Sequence, residues 1–511
     1  MWPRQRFQRR GAVAGIAVAA LALTACAPTG PDLVDPQTLP SSGVGVQLFQ
    51  VPWTAVAVQC ERLIGPAGYD FVLLSPAQEH LVGDEWWVAY QPVSYRIESR
   101  LGTRAEFAEM TQRCGAAGVD IIADAVINHM TGQDEPGVGW AGSTYEHYRY
   151  PGIYEPDHFH RCGLTDGDEI VDYRQREQVQ NCELLNLADL DTGQPYVQQT
   201  IAAFLQDLLD LGVAGFRIDA AKHIAAGDLT AILANVPTGT QVIHEVIRSP
   251  REPVQPIEYE DLGRVFEFQY ARDLFPQLQS GLFQDPLLTV VGKDRADETY
   301  KRPSHVPADR AVVFIDNHDT ERGEAKLTYR SAERYLIANA LMLADDYGDA
   351  VVYSGYAFED RDMGPLVAED GRVVPQDCDH ALAKTASAFG PFKAGEQTCF
   401  YALPSLAGLI ELRRVSDGAP RLAGVLGAKT YGFERQGRAV IAVNVSFGDA
   451  TVEVPTTLPD GQYCDVVRTG AVAASGCAPA DRTIEVRGGT AVIPVGPGQV
   501  AATHLLARHQ D

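Results

Sequence analysis

The most constraining feature of the sequence is a regular alternation of short apolar runs with amphipathic stretches between residues 44 and 420. Strands that alternate with helices predict a parallel sheet with helices packed outside it. Because the unit repeats so often, we expect an α/β fold built on a closed (β/α)8 TIM barrel rather than an open sheet. The runs that fit strands are 45–49, 71–74, 119–127, 213–218, 242–246, 265–268 and 312–315.

Two segments depart from this alternation. Residues 129–188 hold many Gly, Tyr, His and Asp with little apolar periodicity, and a segment of that length is usually functional. We interpret it as an irregular domain inserted after barrel strand 3, between barrel segments 44–128 and 189–420. Residues 421–511 contain short strands separated by turns, which predict a C-terminal antiparallel β-sandwich domain.

The first residues predict export. A basic start precedes an apolar segment that is shorter than the about 20 residues of a spanning helix but suits a signal peptide over residues 1–25. The sequence Leu-Thr-Ala-Cys ending at Cys26 resembles the lipobox of bacterial lipoproteins, in which a lipid is attached to the cysteine. Residues 26–43 are rich in Pro, Thr, Ser and Asp and predict a tether. We expect attachment to the outer face of the cell membrane, or secretion if Cys26 carries no lipid.

The cysteine count fits this interpretation. The chain has nine cysteines, and lipid on Cys26 leaves eight, which predict four disulfides in an oxidising compartment. The absence of a Cys-x-x-Cys pair argues against zinc ribbons and thioredoxin-type redox sites. The sequence alone leaves the pairing of the eight open.

Charge excludes several partners. The chain has 42 Lys and Arg against 67 Asp and Glu, a formal net charge of −25 at pH 7. Such an acidic protein is poorly suited to bind a nucleic-acid backbone or an anionic membrane surface through charge. We expect no nucleic-acid partner, and we expect a monomer.

Ionisable residues gather at the ends of four predicted strands, where barrels of this kind carry their chemistry. Arg217 and Asp219 are two apart on a strand, so their side chains point to the same side. The cation would keep the Asp219 carboxylate ionised and available as a nucleophile. The four segments are 124–129, 215–223, 244–245 and 314–319.

Two further carboxylates strengthen this hypothesis. Glu245 follows an apolar run, so partial burial would raise its pKa, as a general acid requires. Asp319 adds a third carboxylate at a third strand end. A lone carboxylate is more often part of a structural salt bridge or a cap, but three of them, each accompanied by His or Arg, indicate a catalytic site.

These segments carry a resemblance. In order, they resemble the four signature regions of α-amylases in the large (β/α)8-barrel glycoside hydrolase family, and Trp86-Trp87 with residues 90–95 resembles its animal and actinobacterial branch. The resemblance covers about residues 44–511. It implies endo-acting hydrolysis of α-1,4-glucosidic bonds in starch, glycogen and maltooligosaccharides, with retention of configuration through a covalent intermediate.

The resemblance also implies residue roles. Asp219 would be the nucleophile, Glu245 the general acid/base, and Asp319 the residue that stabilises the transition state. Aromatic platforms for glucose rings and polar contacts would complete the α-glucan site. The residues implied to contact substrate are Trp86, Trp87, Tyr90, Gln91, His129, Arg217, Lys222, His223 and His318.

A structural Ca²⁺ between the barrel and the inserted domain is implied as well. Asn128 and Asp189 would supply side-chain oxygens, and Gln180 and His223 backbone carbonyls. The family usually has Arg at the position of Gln180, a change that a backbone ligand tolerates. The disulfide pairs that the resemblance implies are Cys60–Cys114, Cys162–Cys182, Cys378–Cys399 and Cys464–Cys477.

Two other functions stay open. An α-transglycosidase on the same fold would pass the covalent intermediate to a sugar hydroxyl instead of water, although Lys222 and His223 favour hydrolysis. A non-catalytic carbohydrate-binding lipoprotein is the other alternative, and the presence of all three acidic residues argues against it.

Many members of this branch bind an activating chloride ion through two basic residues and an Asn. Arg217 and Asn317 match two of these ligands, but residues 343–360, where the third should lie, contain no Arg or Lys. We therefore predict that activity does not require chloride. Adding chloride to the dialysed protein should leave starch hydrolysis unchanged, and strong activation would contradict the prediction.

Overall fold

The computed structural model describes residues 42–285, 305–379, 390–472 and 483–509. The predicted signal peptide, most of the predicted tether, Cys26 and Cys477 lie outside these ranges. Within them, every helix is too short or too polar to cross a membrane.

Eight parallel strands close into a barrel in the described part of the chain, which confirms the predicted fold class. Around the barrel the order is β1-β10-β9-β8-β7-β6-β3-β2, while β4 and β5 form a separate hairpin. The barrel strands are buried on both faces, which explains their continuous apolar runs. The strands are β1 (Val44–Leu48), β2 (Phe71–Leu74), β3 (Asp120–Ala125), β4 (Gly137–Val138), β5 (Thr144–Tyr145), β6 (Gly215–Ile218), β7 (Gln241–His244), β8 (Arg264–Glu267), β9 (Ala311–Phe314) and β10 (Asp349–Ser354).

Helices surround the barrel, and the longer ones bury apolar side chains. The helix over 195–210, for example, begins with Pro at its first position and buries Val197, Ile201, Leu205 and Leu208 at helical spacing. The helices up to residue 415 are α1 (Trp53–Gln59), α2 (Gly65–Ala67), α3 (Arg104–Ala116), α4 (Arg176–Asn181), α5 (Pro195–Asp210), α6 (Ala226–Leu233), α7 (Gln269–Ser280), α8 (His318–Arg322), α9 (Glu333–Ala344) and α10 (Pro404–Val415).

The structure differs from the predicted strands in one respect that affects the barrel. The apolar pattern predicts seven of the barrel strands but not β10, the eighth. The buried apolar run of β10, Ala350–Tyr353, is as long as the runs that identify β2 and β9, so its length does not explain the difference.

The segment between β3 and β6 has little regular structure beyond the β4–β5 hairpin, α4 and short 3₁₀ turns. It is the predicted irregular insertion after barrel strand 3. The Cys162–Cys182 disulfide closes a loop within it. Buried aromatic rings such as Tyr150 and Phe159 pack on one another inside the segment, and the cross-link further limits its unfolded states.

Two antiparallel sheets form the C-terminal domain, with strand orders β11-β12-β13-β18 and β14-β17-β16-β15. Apolar side chains such as Val440, Val452 and Ile493 pack between them, so the predicted β-sandwich is confirmed. The limits of each domain stay predictions. The elements are β11 (Val425–Gly427), β12 (Thr430–Arg435), β13 (Ala439–Asn444), β14 (Ala450–Pro455), β15 (Gly461–Cys464), α11 (Val466–Thr469), β16 (Thr483–Arg487), β17 (Thr490–Val495) and β18 (Gln499–His504).

The disulfides follow the implied pairing where they are described. Cys60–Cys114 and Cys378–Cys399 form in addition to the bond within the insertion. Cys464 is also disulfide-bonded, and its implied partner, Cys477, lies outside the described residues.

Candidate active site

The three predicted catalytic carboxylates lie at one end of the barrel. Asp219 follows β6, Glu245 follows β7, and Asp319 lies in α8, five residues beyond the end of β9. Because the strands are parallel, their carboxyl ends open on the same face. The fold therefore brings together residues that are 100 positions apart in the chain.

Arg217 is the centre of this cluster and is 1% exposed. Its NH1 group donates hydrogen bonds to Asp124 Oδ1 at 2.7 Å and to Asp219 Oδ1 at 2.6 Å. Its NH2 group lies 2.8 Å from Glu245 Oε1. One guanidinium thus holds three carboxylates, including the two that the sequence assigns to nucleophile and acid/base.

The turn after Asp219 fixes the second oxygen of Glu245. Ala220 has φ 49° and ψ 29°, a left-handed conformation that few residues other than glycine adopt. In this conformation its backbone N–H donates to Glu245 Oε2 at 2.9 Å. Both oxygens of Glu245 therefore have fixed partners, which orients its carboxyl group before any substrate arrives.

Burial raises the pKa of both Asp219 and Glu245, while the charge of Arg217 acts in the opposite direction. Burial likewise raises the pKa of Asp124 to about 7. The prediction for Glu245 agrees with this direction. The charge and hydrogen bond of Arg217 lower the pKa of Asp219 against the effect of burial, and the prediction that Arg217 keeps Asp219 ionised stays a prediction.

Asp124 is a site residue that the sequence analysis did not single out. It is 1% exposed, and it accepts hydrogen bonds from Arg217 and, at 2.9 Å, from the Tyr90 hydroxyl. Its side chain leaves the same strand end as Asn128 and His129. The signal that could have identified Asp124 in the sequence is its place at the start of segment 124–129, at the end of a predicted strand.

Asp319 is the most open of the carboxylates, with 42% of its side chain exposed. Its partial burial and the charge of Glu245 both raise its pKa. His318 Nε2 lies 3.4 Å from Asp319 Oδ2. Asn317 caps α8, since its side-chain oxygen accepts the backbone N–H groups of Asp319 and Thr320.

Aromatic rings line the same face of the barrel. The rings of Trp86 and Trp87 are half-buried, so part of each is accessible to a ligand. Tyr90, by contrast, is 9% exposed and stacks on His318 with ring centroids 4.8 Å apart. Tyr90 packs inside the site wall, and a direct contact between its ring and substrate stays a prediction.

Buried Arg100 holds the Trp86 loop through the carbonyls of residues 85 and 86.

His129 and Gln91 connect the barrel to the insertion. The Nε2 atom of His129 lies 3.0 Å from the carbonyl oxygen of Tyr90, and burial lowers the pKa of His129 to about 4, so the ring is neutral at pH 7. Gln91 Oε1 accepts the N–H of Gly132 at 3.0 Å. Both side chains hold the loop that begins the inserted segment against the aromatic wall.

Lys222 and His223 lie on the turn after β6, where the backbone N–H of Lys222 donates to the carbonyl of Glu245 at 3.1 Å. Lys222 Nζ donates to the carbonyl of Ile247 at 2.9 Å and to Glu252. His223 Nδ1 lies 2.8 Å from the carbonyl oxygen of Val179. The contact with Glu252 could not be read from the sequence, because nothing in the spacing brings that loop to Lys222.

The residues predicted to hold calcium form two close pairs. Asn128 Nδ2 lies 3.1 Å from Asp189 Oδ1, and His223 contacts the residue before Gln180. Across the described ranges, no group of three or more His, Cys, Asp or Glu side chains has metal-site geometry. The predicted set contains one carboxylate, one amide and two backbone carbonyls.

Two family models match the chain. One, described as the catalytic domain of alpha amylase, matches residues 68–388. The other, described as the C-terminal all-beta domain of alpha amylase, matches residues 426–505. The chain belongs to the α-amylase family. This assignment makes it a glycoside hydrolase of the α-amylase type.

Individual α-amylases show the same similarity. The α-amylase of Streptomyces violaceus is 39% identical over 460 residues, which cover 89% of this chain and 74% of that protein. The α-amylase of Thermomonospora curvata is 40% identical over 439 residues, which cover 82% and 67% of the two chains. The structure of α-amylase I from Eisenia fetida superposes with a TM-score of 0.80 at 30% identity and covers 91% and 98% of the two chains. A mutant of the same enzyme was solved with maltohexaose and has a TM-score of 0.79 at 31% identity, covering 90% and 97%.

Because Asp124, Asp219 and Glu245 all contact Arg217, the substitution Asp124→Asn should change the pKa values of the other two. Removing this negative charge leaves more of the Arg217 field acting on Asp219 and Glu245, so the pKa values of both should fall. The alkaline limb of the pH profile of kcat/KM, which follows loss of the Glu245 proton, should move to lower pH by up to about one unit, and kcat should fall about tenfold. Asp120→Asn, at the other end of the same strand, is the matched control. A pH profile for Asp124→Asn that coincides with the wild-type profile would contradict the shared-cation account.

Proposed function

We propose that this chain hydrolyses internal α-1,4-glucosidic bonds of starch, glycogen and maltooligosaccharides by a retaining double displacement. The observation that carries the proposal is that Asp219 and Glu245 bond to the two terminal nitrogens of one guanidinium. Retaining glycosidases need their two carboxyl groups close together, about 5–5.5 Å apart, so that one can attack the sugar directly. A wider spacing leaves room for water and gives inversion.

In the first step, a carboxylate oxygen of Asp219 attacks the anomeric carbon as the glycosidic bond breaks. Glu245 gives its proton to the departing oxygen, and the sugar becomes covalently attached to Asp219. The raised pKa of Glu245 suits this role, because the group must hold a proton at the working pH. Arg217 holds Asp219 Oδ1, so Oδ2 is the oxygen available for attack.

In the second step, Glu245 acts as a base. It takes a proton from a water molecule, whose oxygen attacks the anomeric carbon and releases Asp219. Two inversions at the same carbon restore its configuration. Asp319 stabilises the positive charge that develops on the sugar ring in both steps, and its exposed side chain is accessible to sugar hydroxyls.

The half-buried rings of Trp86 and Trp87 supply apolar faces for glucose rings. Neutral His129 and His318 contact sugar hydroxyls without adding charge beside Arg217, since burial keeps the pKa of each below its usual value. Gln91 positions the adjoining loop. Lys222 and His223 serve the leaving-group side, next to Glu245.

This mechanism predicts the effect of two isosteric changes. Asp219→Asn and Glu245→Gln should each lower kcat for starch by at least about 10²–10⁴-fold, since each removes a group that takes part in bond making or proton transfer. Release of reducing ends from starch measures the loss. Glu453→Gln, on an exposed strand position of the C-terminal domain, is the matched control.

A trapping experiment separates the mechanism from the activity. A fluorinated glycoside that reacts but turns over slowly should add its mass to the peptide that contains Asp219. Label on a peptide without Asp219, or substantial starch hydrolysis by either variant, would contradict the assigned roles.

We also propose that Asn128, Asp189 and the backbone carbonyls of Gln180 and His223 hold a structural calcium ion. Oxygen donors of this kind suit Ca²⁺. Asp189 is 2% exposed, and burial raises its pKa to about 7. A bound Ca²⁺ ion would favour the charged form of the Asp189 carboxyl group. It would also join the insertion, which contributes Gln180, to the barrel, which contributes Asn128.

Calcium removal should therefore destabilise the protein. We expect EDTA to lower the melting temperature of the wild type by about 5–10 °C, and Ca²⁺ to restore it. Asp189→Asn should lose most of this EDTA effect, whereas Asp157→Asn, an exposed aspartate of the same insertion, should keep it. Scanning fluorimetry with and without EDTA measures the shifts. An unchanged EDTA effect in Asp189→Asn would exclude this site.

We propose, finally, that the protein is an exported lipoprotein of the animal and actinobacterial branch. Disulfides within the described residues are typical of proteins outside the cytosol. Cys464 is also disulfide-bonded, so Cys26 is the cysteine left over under the implied pairing. Mass spectrometry of the mature protein should show an N-terminal lipid-modified Cys26, and a mature chain that begins elsewhere without lipid would exclude the anchor.

A further inference from the structure

Arg322 is a buried arginine at the carboxyl face of the barrel, outside the Arg217 cluster. It is the last residue of α8, the short helix that carries Asp319, and its side chain is 1% exposed. Its Nη1 group donates to Glu321 Oε2 at 3.1 Å and to the carbonyl of His318 at 3.3 Å. These two bonds fix the guanidinium to its own helix.

Four aromatic rings surround the Arg322 guanidinium. The distances from its central carbon to the ring centroids are 4.3 Å for Phe358, 5.1 Å for Phe49, 5.1 Å for Tyr356 and 5.5 Å for Trp86. A cation within about 6 Å of a ring centroid is attracted to the negative face of the ring. Because the rings come from the segments after β1, β2 and β10, this one cation connects three loops of the active-site face to α8.

The loop after β10, residues 355–364, holds the polar edge of the Trp86 indole. Trp86 Nε1 donates to the carbonyl of Arg361 at 3.0 Å, and the Trp86 backbone N–H donates to the carbonyl of Asp362 at 3.2 Å. Arg322 contacts the same indole from α8. The Trp86 ring therefore lies between a loop that fixes its N–H group and the helix of Asp319.

His318 is the second contact between α8 and Trp86, with ring centroids 5.7 Å apart. Its backbone carbonyl accepts a hydrogen bond from Arg322. Burial, the charge of Arg217 and the charge of Arg322 all lower the pKa of His318, so its ring is neutral at pH 7. Arg322 thus acts on both of the α8 side chains that face Trp86.

A guanidinium does more in this position than fill space. A Leu or Met side chain could pack among the rings without the free-energy cost of burying a charge. The guanidinium is planar and stacks on aromatic faces, so it favours particular ring orientations that a flexible aliphatic chain would not select. Its presence indicates that the orientation of these rings matters to the site.

We propose that Arg322 is a positioning residue that holds the Trp86 ring in a fixed place relative to Asp319, so that a bound α-glucan contacts both. The inference rests on the proposed function and deepens it. Buried Arg322 does not touch the sugar and acts through Trp86. Its loss should therefore weaken α-glucan binding more than it slows bond breaking.

The double variant Glu321→Gln/Arg322→Met tests this role. It removes the buried ion pair together, because loss of the cation alone would leave the Glu321 carboxylate buried without its partner. We expect KM for maltoheptaose to rise about fivefold while kcat stays within about twofold of the wild type. Glu321→Gln alone keeps the guanidinium and should keep the wild-type KM. Arg330→Met is the matched control, since exposed Arg330 contacts the rings of Tyr329 and Phe358.

A double-mutant cycle separates action through Trp86 from a general loss of structure. In the Glu245→Gln background, calorimetry measures the affinity for maltoheptaose with and without Trp86→Ala. The Glu321→Gln/Arg322→Met change should lower this affinity about fivefold when Trp86 is present and less than about 1.5-fold when it is absent. This result would support the positioning role even if the wild type hydrolysed no α-glucan, an outcome that refutes only the proposed function.

Equal losses of affinity in the two Trp86 backgrounds, no loss when Trp86 is present, or a fall in kcat with unchanged KM would each overturn the inference. Melting temperatures show whether each variant folds. Arg322→Lys decides the question if the double variant does not fold, because it keeps the charge but lacks the planar group. We expect it to lower the affinity about twofold, again only when Trp86 is present, and an affinity equal to that of the Glu245→Gln parent would overturn the role.

Discussion

Arg217 lies buried at the mouth of the barrel and bonds to Asp124, Asp219 and Glu245. Burying a cation costs free energy unless hydrogen bonds or negative charges compensate it, and burying a carboxylate costs free energy unless a cation, hydrogen bonds or a proton do so. Burial raises the pKa of each of these acids, while the charge of Arg217 acts against that rise. The environment of Glu245 thus favours the protonated form that a general acid needs.

The barrel makes this arrangement possible because its parallel strands all end on one face. Strand β6 carries Arg217 and leads into Asp219, while β3 and β7 flank β6 and bring Asp124 and Glu245 to it. The insertion after β3 is attached to this face through His129 and Gln91. Rigid strands set the distances among the reacting groups, and the loops determine which polymer reaches them.

Sequence patterns predict the barrel, the insertion and the three carboxylates, because strand-length apolar runs and their polar ends are local signals. They do not predict which acids share a cation. Asp124 joins the cluster only through the pairing of β3 with β6, and Glu252 reaches Lys222 from a separate loop. The burial of Tyr90 against His318 likewise depends on packing between segments more than 200 residues apart. Such contacts exist only after the chain has folded.

The hydrogen bond from Ala220 to Glu245 Oε2 does not depend on a side chain at position 220. The hydrogen bond to Glu245 Oε2 comes from the main chain, so every residue at position 220 except proline retains the donor. A glycine there would adopt the left-handed conformation with less strain, but it would also widen the range of shapes open to the turn. This contact with Glu245 therefore depends on the path of the backbone and not on the identity of the side chain at position 220.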